Sequence, residues 1–206
     1  MNTPGSDGEH RLQKEYGSVR KALAFYKNQM LDYLNPAMSS FISSQEMVFV
    51  ATSDAKGECD CSFRTGPAGF VRVLGNKWII YPEYRGNGVL GSLGNISENP
   101  HIGLVFIDFF QDAIGLHVNG KARLIENKAL LKENVFPDHL IQEFKVEMER
   151  KAERWVSIEV EEAYIHCSKH IPLLKKLDKK IHWGTDSEKL KGGDYFQAKS
   201  SPRSQK

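Results

Sequence analysis

From residue 46 to residue 167 the apolar positions recur mainly at every second residue, the period of a strand with one face toward a core. The segments 46–53 (EMVFVATS), 59–63, 70–74, 77–82, 101–108, 114–125 (IGLHVNGKARLI) and 154–167 (RWVSIEVEEAYIHC) carry this pattern. In the last of these, Trp155, Ser157, Glu159 and Glu161 fall on one face and Val156, Ile158, Val160 and Glu162 on the other. DAKGE (54–58) reads as a turn, and Gly75-Asn76 is a two-residue hairpin signal between two strands. About seven strands with short connections predict an antiparallel sheet, closed as a barrel to protect its edges.

Helical spacing is confined to the flanks. Leu12, Tyr16, Val19, Leu23, Tyr26, Met30, Leu31 and Leu34 recur at three and four, which predicts one amphipathic helix from His10 that Asn35-Pro36 ends or kinks, covering one face of the sheet. Short helices are expected over 37–41 and 89–97. Pro137 splits two helical pieces within 127–149, and Ser168 is placed to cap a further helix through Leu177. The domain reading is a loose polar N-terminus (1–9), a single domain (10–185) and a polar C-terminal tail (186–206), with no internal repeat.

Composition narrows the function. With 28 basic and 26 acidic residues the charges nearly cancel, so nothing favours nucleic acid or an anionic membrane. No apolar run approaches the roughly 20 residues of a membrane span. MNTPGSDGEHR lacks the basic-then-apolar order of a secretory signal. Three cysteines make an odd count without framework spacing, which places the chain in a reducing cytoplasm.

The candidate chemistry lies between 61 and 106. Two polar loops, SFRTGPAG and PEYRGNGVLGS, each offer an arginine, glycine N–H groups and small hydroxyl or amide side chains, the components of a phosphate site. Gly86, Gly88 and Gly91 also fit G-x-G-x-x-G, with Asp108 downstream. A dinucleotide fold is nevertheless a poor reading: Glu83-Tyr84-Arg85 separates strand from glycine, and LGNISENP is too short for a parallel crossover of about a dozen residues.

Taken in order, SFRTGPAGFVRVL, YPEYRGN, SLGNISENPHIGLVF, LHVNGKARL and EEAYIHCSKHIP resemble the FMN-binding split-barrel family, the pyridoxamine 5′-phosphate oxidase-like proteins, across residues 46–183. The resemblance implies an α+β, mainly β fold: a six-stranded antiparallel split barrel with flanking helices, forming a homodimer with FMN at the interface. It implies that Arg64 and the backbone of Gly69, Phe70 and Val71 line the flavin and ribityl side. Tyr81 and Pro82 would end the strand beneath the ring. Arg85, Gly86 and Asn87 would hold the phosphate, with Ser92 and Asn95 on the helix that follows, and Lys169 would reach the cofactor from the partner subunit. The tail KKIHWGTDSEKLKGGDYFQ departs from the oxidases proper, whose final segment carries an Arg and a His for the substrate phosphate.

The resulting expectation is a cytoplasmic FMN-dependent oxidoreductase acting on a small molecule by hydride transfer at the flavin, with no assigned catalytic side chain. The alternatives are a flavin carrier in stress response or redox sensing, a deazaflavin protein, and a haem-binding barrel with His101, His117, His166 or His170 as axial ligand. Arg72, within a strand, reads as an outward charge, and His117 as structural. Cys59 and Cys61 share one strand face and lack two further metal ligands nearby, so they read as buried or half-buried thiols. Cys167, between His166 and His170, reads as a strand end.

Overall fold

The alternating segments form one eight-stranded antiparallel sheet in the computed structural model, which describes residues 3–132 and 136–202. The strands are β1 (Met30–Leu31), β2 (Met47–Ser53), β3 (Cys59–Thr65), β4 (Arg72–Leu74), β5 (Trp78–Tyr84), β6 (His101–Asp108), β7 (Ile114–Glu126) and β8 (Ala152–His166). Their order is β3-β2-β6-β7-β8-β5-β4, and β1 pairs with the far end of β8. The sheet thus exceeds the six expected strands by β1 and the three-residue β4. Among the described residues no ladder joins β3 to β4 or β5, so the barrel is split along that line.

The helices are α1 (Asp7–Glu15), α2 (Val19–Gln29), α3 (Pro36–Ser44), α4 (Gly91–Glu98), α5 (Asn127–Leu130) and α6 (Asp138–Glu149). The single N-terminal helix expected from His10 is two. Gly17 takes φ +65° between them, and the chain turns extended at Met30 to pair with β8. Within the stretch 1–9 expected to be loose, α1 opens at Asp7, where Ser6 and Glu9 form a reciprocal capping box. Asn35 caps α3 through its side chain, and Pro36 occupies the first turn. After β8 only a single 3-10 turn forms, Ser168–His170, in place of a helix reaching Leu177. Among the described residues no helix is long and apolar enough to cross a membrane.

Two apolar clusters meet across β5 and β8. Inside the barrel, Val48, Val50, Ile79, Tyr81, Leu104, Phe106, Val118, Val156 and Ile158 are at most 5% exposed. On the opposite face Ile80, Trp155 and Ala152 pack against Leu130 of α5 and Phe144 of α6. The alternation in β8 therefore separates core from solvent only from Ile158 to Glu161; before it, Trp155 and Ser157 are buried like Val156 and Ile158. Cys59, Cys61 and Cys167 are exposed, contrary to the buried thiols expected for the first two, because the odd positions of edge strand β3 point outward.

A bulge at Asn119/Gly120 shifts the β7–β8 register. An added Cβ at Gly120 would lie 2.0 Å from the Glu159 carbonyl oxygen, whereas one at Gly94, inside α4, meets nothing within 4 Å. Gly120→Ala is expected to destabilise the protein by about 1–3 kcal/mol through overpacking. Gly94→Ala is expected to stabilise it by roughly 0.5–1 kcal/mol through helix propensity. Urea unfolding of both variants checks the pair; shifts of the same sign would contradict this packing.

Candidate functional site

Where the barrel is split, the even positions of β3 turn toward α4 and the end of β5. Asp60 accepts from the Ser92 hydroxyl at 2.8 Å, and Ser62 meets the same hydroxyl at 2.9 Å. Arg64 Nε donates to Glu83 Oε1 at 2.7 Å. These contacts form one wall of a groove of about 1120 Å³. The 85–90 loop and the start of α4 line it, Glu153 and Arg154 of β8 form the base, and residues 181–186 lie along its rim.

The loop supplies donors. The N–H groups of Gly86, Asn87 and Gly88 make no hydrogen bond among the described residues. The Asn87 side chain accepts from the Val89 N–H at 3.0 Å, and Leu90 enters α4 in the left-handed region at φ +58°. No side chain caps α4, so its first-turn N–H groups stay open toward the groove. Arg85 donates through Nε to Glu153 at 2.7 Å and through Nη1 to Asp186 at 3.5 Å.

Electrostatics at the base are set by burial. Glu83 is 8% exposed, and burial pushes its carboxyl above the ordinary glutamate range; the Arg64 guanidinium opposes part of that rise. For Arg64, burial alone favours the neutral form, but attraction to Glu83 outweighs it and the guanidinium is held more firmly protonated than usual. On the same face of β5 as Glu83, Tyr81 is fully buried and its hydroxyl has no hydrogen-bond partner; burial raises its pKa well above the ordinary tyrosine value.

Tyr84 lies on the opposite face of β5, and its hydroxyl donates to Glu147 of α6 at 2.5 Å. Glu147 is 1% exposed and also receives Arg72 and Arg150, each at 3.2 Å. Arg72 lies over the Phe144 and Trp155 rings and pairs with Glu143 as well, so it is an inward network residue and not the outward charge expected.

Of the residues singled out in the sequence, Arg64, Arg85, Gly86, Asn87 and Ser92 meet in this groove. Tyr81 lies in the barrel interior. Pro82 is buried in β5 opposite Trp155. Phe70 and Val71 are in the barrel core, and the Gly69 N–H is tied to the Gln45 carbonyl. Asn95 donates to Thr52 and anchors α4 to β2. Lys169 is exposed on the turn after β8 and does not line the groove of its own chain. The three glycines of the dinucleotide-like pattern form the loop into α4, and β6 returns antiparallel beside β2 and β7.

Sequence reasoning missed Asp60, Glu83, Tyr84, Glu153, Arg154 and the rim segment. Glu83 carried a usable signal, a lone charge within the apolar run WIIYPEY. The rim segment carried none, because it has no periodicity. Of the four histidines weighed as haem ligands, none lines the groove. His117 Nε2 lies 2.8 Å from His166 Nδ1 and its ring stacks on Tyr164, while His101 bonds Asn99. Burial, and then His166, lowers the His117 pKa.

An antiparallel split barrel with a donor-lined groove at the split defines the class of protein. The family model described as pyridoxamine 5′-phosphate oxidase matches residues 34–167. The chain belongs to that family, as its resemblance in sequence implied. Similar solved structures include HupZ from Group A Streptococcus (20% identity, 64% of this chain and 93% of that one, TM-score 0.47). Another is HutZ of Vibrio cholerae, described as its heme storage protein (13% identity, 62% and 90%, TM-score 0.41). A third is an FMN-binding protein from Syntrophomonas wolfei (10% identity, 77% and 97%, TM-score 0.42). No curated protein matches the chain.

Removing Arg64 would leave Glu83 buried without its cation. Arg64→Met is expected to destabilise the protein by about 3 kcal/mol near neutral pH. Because burial raises the Glu83 pKa, the folded state holds that proton more tightly than the unfolded state. The stability it contributes is fully present below the unfolded value near 4.5 and is lost as pH rises through the folded value. Without Arg64 the folded value climbs further, so the deficit of the variant should shrink as pH falls from about 7 toward about 4.5. Urea unfolding across that range measures it, and a deficit independent of pH would show that the pair is not what Glu83 depends on.

Proposed function

We propose that the groove binds FMN and that the protein is an FMN-dependent oxidoreductase acting on a small molecule. The observation that carries this reading is the donor set at one end of the groove. Arg85, the unengaged N–H groups of Gly86, Asn87 and Gly88, and the uncapped N-terminus of α4 converge there. A dianionic phosphate is the ligand group that such donors suit, since a guanidinium, oriented amides and a helix N-terminus each favour negative charge. Gly86 and Gly88 leave that end open, with no atom closer than 4.0 Å to where a Cβ would be.

The rest of the groove fits the rest of the cofactor. Tyr84 offers aromatic surface to a planar ring system, and the Arg64–Glu83 pair places a donor and an acceptor side by side for a heterocycle's polar edge. FMN, when bound, supplies acceptance and donation of hydride at its ring. The residues described here bind and orient it: Arg85 and the loop amides hold the phosphate end, and the barrel mouth excludes water from one side. A homodimer, with Lys169 of one subunit directed at the cofactor of the other, belongs to the same proposal.

The purified protein is expected to absorb in the visible as a flavoprotein and to release FMN, identified by mass, on denaturation. A protein that is colourless and leaves added FMN fluorescence unchanged would sink the reading. Arg85→Ala is expected to weaken FMN binding about 10- to 100-fold, the loss of one charge-assisted contact of roughly 1.5–3 kcal/mol. Lys145→Ala, an exposed change on α6, should leave it unaltered. Fluorescence titration of both variants makes the comparison.

A further inference from the structure

The C-terminal segment forms part of the wall of this groove. Residues 181–186 line it together with Lys191. The Trp183 ring lies 5.0 Å from the Tyr84 ring at an interplanar angle of 42°. Three residues on, the Asp186 carboxylate reaches Arg85 Nη1 at 3.5 Å and is approached by Lys191 Nζ at 3.4 Å. Between them Gly184 turns with φ +60° so close to Lys151 that an added Cβ would lie 2.5 Å from the Lys151 Cβ. Lys151 is itself tied to the site, since its carbonyl accepts from the Arg85 N–H at 2.9 Å.

The chemistry of these contacts matches that of the proposed ligand: an aromatic face on Tyr84 and an anion on Arg85. We infer that residues 181–186 are an intramolecular competitor for the groove, which FMN must displace to bind. This rests on the FMN reading above. Arg85 makes two carboxylate contacts, and they differ in kind. Glu153 belongs to β8 and stays with the barrel, whereas Asp186 belongs to a segment without helix or strand. Phosphate arriving at Arg85 takes the place of Asp186, and the flavin ring takes the place of Trp183 against Tyr84. Asp186 is well exposed, so its ion pair is weak and reversible. Docking of the strap lowers apparent affinity by the fraction of molecules in which it is docked.

Trp183→Ala combined with Asp186→Asn, made in the full-length chain, tests this without threatening the barrel core. The first readout is FMN affinity by fluorescence titration. The double variant is expected to bind about 3- to 10-fold more tightly, as the docked fraction falls. Equal affinity would overturn the inference, and weaker affinity would overturn it by making the segment part of the binding site. The second readout needs no cofactor: limited trypsin cleavage after Lys189 and Lys191, followed by mass spectrometry. Cleavage is expected to be faster in the ligand-free double variant than in the ligand-free parent, and faster in the parent once FMN is added. If the parent binds no FMN, the cofactor reading fails. The strap then stands on the ligand-free comparison alone: faster cleavage of the variant supports docking in the groove, and equal cleavage overturns it.

Discussion

A fifteen-residue strand paired along both sides, and covered on both faces through its first half, is the constraint on which this fold depends. β8 runs beside β7 for nearly its whole length, while β5 and then β1 take its other side. One face lies on the barrel interior throughout, and the other is covered by α5 and α6 along its first half before it opens to solvent at Glu159 and Glu161. This arrangement lets β5 be apolar in both directions and still end in charged residues. Glu83 leaves the core at the barrel mouth, Tyr84 leaves on the helical side, and Arg85 continues into the loop. The groove is thus a product of where β5 runs out of core.

The polarity of the mouth follows from the split. A barrel closed by hydrogen bonds would leave no reason for a guanidinium and a carboxylate to face each other between β3 and β5. Here the ladder stops, and Arg64 and Glu83 span the gap with a charge-assisted bond. Ser62, Ser92 and Asp60 extend that polar seam to the helix start. Along this seam the polar side chains already satisfy one another, whereas the N–H groups of Gly86, Asn87 and Gly88 beside it make no hydrogen bond among the described residues.

Much of the barrel is legible in the sequence because its signals are local. His101–Asp108 begins and ends where the alternation does, and β7 begins with its alternation and runs one residue past it. Pro137 stands at the start of α6, where its missing N–H is tolerated, while α5 has already ended at Leu130. What is not legible depends on contacts distant in sequence. Met30–Leu31 continues a helical pattern and becomes a strand only because the end of β8 is available beside it. Trp155 and Ser157 look like an outer face until α5 and α6 cover them. In the site, Arg64, Arg85, Gly86, Asn87 and Ser92 are named by the family resemblance on top of two polar, glycine-rich stretches. Glu153, Arg154 and the 181–186 strap could not be read, since only the fold brings them to the same groove.

Tyr84 joins two regions that differ in what restrains them. Its ring faces the groove, but its hydroxyl is held by Glu147, a helical residue that never touches the groove and sits among Arg72 and Arg150. The segment between β7 and β8 thereby acts as a tuning peg for the mouth of the barrel. Changes of charge around Glu147 would re-aim one wall of the groove through Tyr84. Because Leu130 and Phe144 of the same segment pack on Ile80 and Trp155, only its polar positions are open to such change.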